Sequence, residues 1–134
     1  MNWNTFELEI KNLSKKIDFT PDYIVWIVRW WLIPARLLSE FLKVKSMFYL
    51  NVGKKEGERF VFWDVDYDLD WKSILLVEDM LETGKSLIIA KEWLEKRGSE
   101  VKTICLYTMP ISECKPDFFL KEISEVIKFP WEEI

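Results

Sequence analysis

The stretch Ser73-Ile-Leu-Leu-Val-Glu-Asp-Met-Leu-Glu-Thr-Gly-Lys-Ser-Leu87 decides how this 134-residue chain is read. Ser73 to Val77 is apolar without polar alternation, the mark of a strand covered on both faces. Glu78 to Gly84 follows as a polar connection that opens with two adjacent acids. A helix over Lys85 to Arg97 comes next, with Gly98 in a C-cap role. A buried strand, a polar turn and a helix in that order make one unit of a parallel α/β sheet.

The flanking sequence repeats the unit. Tyr23-Ile-Val-Trp-Ile-Val28 is a second strand buried on both faces, Ser46 to Leu50 a shorter one, and Val101 to Tyr107 another. Pro34 suits the first position of a helix whose apolar face is Leu37, Leu38, Phe41 and Leu42. At the N-terminus Phe6, Ile10, Leu13 and Ile17 recur at helical spacing, predicting an amphipathic helix over 4–17, and Asn4 with Glu7 has capping-box spacing. Asn51 to Glu58 reads as a charged turn, Arg59 to Asp66 as strand-like, and Glu125 to Trp131 as a last edge strand. The expectation is one α/β domain over 1–134, a mainly parallel twisted sheet flanked by helices.

Composition narrows the function. Net charge is −4, with 19 basic residues interspersed among 23 acidic ones. That disfavours a partner bound through nucleic-acid phosphates. Histidine is absent, which removes histidine-based triads and HExxH zinc sites. Cys105 and Cys114 lack metal-pair spacing and read as reduced thiols. The apolar runs are too short to span a bilayer, and the start of the chain lacks the pattern of a signal peptide. A soluble cytoplasmic protein with no membrane partner is expected. Asp64, Asp66, Asp68 and Asp70 lack the Gly and distal Glu of a calcium loop and read as a solvated segment.

The chemistry lies where the central strand hands over to its helix, because ligands of such sheets sit beyond the carboxyl ends of strands. At Thr83-Gly84-Lys85-Ser86, free backbone N–H groups and the positive helix end favour an anion. Gly84 lets the backbone approach closely, and Thr83 and Ser86 add hydroxyls. A Walker A loop would need Gly five positions before Gly84, where Asp79 stands. Glu78 and Asp79 can accept hydrogen bonds from sugar hydroxyls or hold a hydrated cation. An acid pair beside a phosphate cradle reads as a ribose 5-phosphate site.

Val77 to Ser86 resembles the signature of the type I phosphoribosyltransferases: an apolar strand, two acids, two apolar residues, an acid, then Thr-Gly-x-Ser/Thr. The stretch from Pro21-Asp-Tyr-Ile-Val25 to Ile33-Pro-Ala-Arg-Leu-Leu38 is similar to that family's first strand, pyrophosphate loop and following helix. Val101 to Thr103, Lys115-Pro-Asp117 and Phe129-Pro-Trp-Glu132 resemble its compact 6-oxopurine members. The resemblance covers roughly 20–134 and leaves most of the N-terminal helix outside.

It implies transfer of a phosphoribosyl group from phosphoribosyl pyrophosphate to a 6-oxopurine, with Mg2+, in a homodimer. Glu78 and Asp79 would contact the ribose hydroxyls and, indirectly, the metal. Glu82 would stand near the purine N7 as general acid/base, and Thr83 to Ser86 would hold the 5-phosphate. Lys115 would meet the 6-oxo group, Val126 and Ile127 would flank the base, and Glu132 would lie near its far edge. A flap is implied over about 51–70 and a base-recognition tail over about 108–134.

Three positions depart from the family. Arg29-Trp30-Trp31 stands where the pyrophosphate loop reads Arg/Lys-Gly-Gly; the indoles either fill the pyrophosphate space or form a contact surface. Val126 replaces an aromatic, leaving a weaker floor for the base. Glu82 replaces Asp, moving a carboxylate by about 1.5 Å. Besides purine salvage, the sequence therefore leaves open a catalytically impaired protein that binds a nucleoside monophosphate as sensor or regulator, and a partner protein that uses Trp30 and Trp31.

Overall fold

A computed structural model describes residues 1–28, 32–61, 68–81 and 83–132, with the backbone alone for 32 and 79–81. The expectations for Arg29, Trp30, Trp31, Asp64, Asp66 and Glu82, and for the side chain of Asp79, lie outside the described residues. In chain order the elements are α1 (Trp3–Ser14), β1 (Tyr23–Ile27), α2 (Leu32–Leu42), β2 (Met47–Leu50), β3 (Val52–Lys55), β4 (Glu58–Val61), β5 (Ser73–Leu81), α3 (Lys85–Glu95), β6 (Glu100–Thr108) and β7 (Phe118–Glu122), then a 3₁₀ turn at Pro130–Glu132.

Five strands form one parallel sheet in the order β2-β1-β5-β6-β7. Side-chain alternation divides its core in two. Ile24, Leu75, Val77 and Ile104 face α1 and α2, whereas Val25, Ile74, Leu76 and Cys105 face α3. Both faces are covered, which is why the strands lack polar alternation. α1 also packs against the edge strand β7, and Lys16, just beyond the helix, donates to the carbonyl of Phe119 at 3.0 Å.

Several elements differ from expectation. The cap of α1 is Asn2, whose side chain accepts from Thr5 N at 2.8 Å; the helix begins earlier than the Asn4–Glu7 spacing suggests. The strand at 73–77 continues to Leu81, because β6 offers ladder partners as far as Leu81↔Thr108. The charged turn at 51–58 is in fact a strand and a tight Glu56-Gly57 turn, pairing Val52–Lys55 with Glu58–Val61 as a hairpin. The edge strand is 118–122, not 125–131. Asp117 sets it: its carboxylate accepts from Thr103 N (2.8 Å) and Thr103 Oγ1 (3.1 Å), and its own N–H donates to Thr103 Oγ1 at 3.0 Å. Pro130 has no N–H for a ladder and starts the 3₁₀ turn instead.

Candidate active site

β1 and β5 are neighbours, yet their outgoing connections lead to helices on opposite faces. That divergence opens a crevice at their carboxyl ends, the place where α/β sheets bind ligands. The turn Thr83–Ser86 stands there at the head of α3. Gly84 is the N-cap, with φ 78°, and makes no side-chain cap hydrogen bond. Lys85 N donates to Thr83 Oγ1 at 3.4 Å, and a cap without a side chain leaves the remaining first-turn N–H groups to an anion. Thr83 and Lys85 are exposed and Ser86 is half-buried.

Residues 109–117 hold this turn in place. Glu113 N donates to Thr83 O at 2.8 Å, and the Ser112 hydroxyl donates to Cys114 O at 2.7 Å. A Cβ on Gly84 would lie 2.9 Å from Ser112 Oγ and 3.0 Å from Cys114 Cβ. Glycine is needed here both for its backbone angle and for the space. Lys85 and Glu113 pair at 3.9 Å, half-exposed. Burial pushes the Cys114 thiol up, against Lys91, so this thiol stays protonated. Beside the turn runs a groove of about 380 Å³, lined by Glu58 and Arg59 of the hairpin and by Lys85, Ile88 and Glu113. The hairpin of the expected flap thus borders the head of α3.

The other site residues fall into two groups. Lys115 leaves the same loop, exposed, its ammonium 5.8 Å from the Phe119 ring. Val126 is 60% exposed, while Ile127 packs against the α1-side core. The Glu132 carboxylate accepts from Phe129 N at 2.8 Å, so it caps its own turn. Glu78 is half-buried, and both it and Asp79 lie within the C-terminal half of β5 instead of beyond the strand. Ser112 and Glu113 support the cradle but were not read from the sequence, because no local pattern links them to Gly84.

Residues 2–134 match the phosphoribosyl transferase domain. The chain belongs to that family. The match begins at residue 2, so α1 lies inside it. A purine phosphoribosyltransferase from Pyrococcus horikoshii superposes with a TM-score of 0.90 at 30% identity, over 100% of this chain and 93% of that one. The sheet and its flanking helices are those of the type I phosphoribosyltransferases. A hypoxanthine-guanine phosphoribosyltransferase of Lactococcus lactis is 39% identical over 89 residues, 64% of this chain and 48% of that protein. This chain thus spans about half the length of that relative. A xanthine-guanine phosphoribosyltransferase of Idiomarina loihiensis is 22% identical over 98% of this chain and 85% of that protein. Among the described residues, no helix is long and apolar enough to cross a membrane.

Proposed function

We propose that this phosphoribosyltransferase-family protein joins phosphoribosyl pyrophosphate to a 6-oxopurine and releases pyrophosphate. The observation that carries the reading is the head of α3, where left-handed Gly84 caps the helix without a side chain and the turn is tied to the loop that bears Lys115. Relatives named for hypoxanthine, guanine and xanthine support a purine.

In this reading the N–H groups and hydroxyls of Thr83 to Ser86 bind the 5-phosphate. Glu78 and Asp79 orient the ribose through its hydroxyls. Glu82 holds or takes a proton at the purine N7. Lys115 donates to the 6-oxo group, and Val126, Ile127 and Glu132 border the base. The reaction is loose and dissociative, so positioning and charge stabilisation outweigh nucleophilic strength. When bound, Mg2+ supplies neutralisation of the leaving group's charge. Mg2+ is commonly held by one or two carboxylates plus substrate phosphates. Glu78 with Asp79 is that kind of donor set, acting through ribose or water. A homodimer in the cytoplasm completes the reading.

Arg29-Trp30-Trp31 favours a second reading, a nucleoside monophosphate sensor or regulator without turnover, because two indoles replace the glycines that would crowd an anion. Calorimetric titration with phosphoribosyl pyrophosphate and Mg2+, then assays with guanine, hypoxanthine and xanthine, separate the two. Binding and nucleotide formation support the first. GMP or IMP binding without phosphoribosyl pyrophosphate binding supports the second and refutes the first.

A further inference from the structure

The N-terminal helix has no role in the chemistry above, yet it is joined to the part of the chain that carries the proposed base site. Phe6 is fully buried. Its ring meets Phe129 edge-on at 6.1 Å and Trp131 edge-on at 5.0 Å. Phe129 and Trp131 stack on each other at 4.9 Å, 5° from parallel, and Tyr107 stacks on Phe129 at 6.0 Å. Trp3 reaches Trp131 at 6.1 Å. One turn on, the Glu9 carboxylate accepts from the Tyr107 hydroxyl and lies 3.8 Å from Lys121 of β7.

The tail between these anchors has little regular structure. It leaves β7 at Glu122, is pinned by Ile123 N donating to Thr108 O at 2.8 Å, and has no strand or helix before Pro130. Val126 and Ile127 lie in that span. A loop without ladder hydrogen bonds takes its position from what its ends pack against. One end is the β7 anchor; the other is the Phe129–Trp131 stack, which rests on Phe6.

We infer that Phe6 is a positioning residue for the purine: α1 holds the wall formed by Val126, Ile127 and Glu132 at its working distance, and does not set the affinity for phosphoribosyl pyrophosphate. The inference rests on the purine transferase reading. It gives selectivity a definite source, because the phosphate cradle is fixed independently by the 109–117 loop.

Phe6→Ala, the milder Phe6→Leu and the half-exposed Trp3→Ala test it. In Phe6→Ala the KM for the purine should rise about tenfold, as the tail shifts and the wall beside the base is misplaced. The affinity for phosphoribosyl pyrophosphate with Mg2+ should stay within about twofold, since the turn proposed to hold its 5-phosphate, residues 83–86, shares none of those ring contacts. Phe6→Leu should restore part of the loss, and Trp3→Ala should show a smaller shift of the same kind. Amide hydrogen exchange should quicken over 123–132 and stay unchanged at 83–90. If Phe6→Ala does not fold, Trp3→Ala and Phe6→Leu carry the same comparison. An active wild type whose variants shift neither constant, or both equally, overturns the inference alone. A wild type that forms no nucleotide from any of the three bases overturns the functional reading and the inference with it.

Discussion

Replacing Gly84 by alanine perturbs the proposed phosphate cradle in a way the structure makes quantitative. Gly84 has φ 78°, where a Cβ costs about 1–2 kcal/mol in backbone strain. The new methyl would also meet Ser112 Oγ at 2.9 Å, Cys114 Cβ at 3.0 Å and Cys114 N at 3.2 Å. Those atoms cannot withdraw freely, because the adjoining Glu113 N–H is bonded to Thr83 O, a hydrogen bond worth about 1 kcal/mol. Gly57 supplies the control. Its φ is 85°, but nothing lies within 4 Å of an added Cβ, so Gly57→Ala carries strain alone. The expected losses are about 1–2 kcal/mol for Gly57→Ala and about 2–4 kcal/mol for Gly84→Ala. Thermal melting should separate the two variants by several degrees, at roughly 3–5 °C per kcal/mol for a domain of this size. Calorimetry adds the functional readout: GMP binding to Gly84→Ala should weaken about tenfold or more, as first-turn N–H groups move off the phosphate. Equal destabilisation of both variants, with GMP affinity unchanged in Gly84→Ala, would refute the assignment of this turn as the cradle.

Further outcomes follow from other contacts. Lys85→Ala should change stability by less than about 0.5 kcal/mol, because its pair with Glu113 is exposed, while weakening GMP several-fold in a salt-dependent manner; denaturant melts and titrations at two ionic strengths check both. Asp117→Ala should cost about 1–3 kcal/mol, as Thr103 and the start of β7 lose their shared carboxylate, read by urea unfolding. Burial raises the Glu9 carboxyl above its ordinary value, against Lys121. Between the unfolded and the raised folded pKa the native state therefore binds more protons than the unfolded one, and this contribution to stability is lost as pH rises through the folded pKa. Glu9→Gln, which keeps an acceptor for Tyr107, should flatten that part of the stability–pH curve; an unchanged curve would show that Glu9 is not its source.

Much of this protein is legible without its structure because its signals are local. Two-sided strands such as 23–28 and 73–77 carry their burial in their composition, and the Thr83-Gly84-Lys85-Ser86 turn carries its anion preference in its residue types. The family follows from that turn and the acids before it. Long-range pairing is not written locally. Leu81 stays in β5 only because Thr108 stands beside it. Phe118–Glu122 is an edge strand only because Asp117 closes on Thr103 from across the sheet. At 125–131 the apolar residues suggested a strand, but Pro130 and the rings of Phe6 and Tyr107 claim them for a packed tail. The sequence by itself determined the α/β class and the family. The tertiary structure decided which segments complete the sheet and how α1 holds the tail, because those depend on contacts between separate segments, from Thr103 with Asp117 to Phe6 with Phe129, which no local pattern encodes.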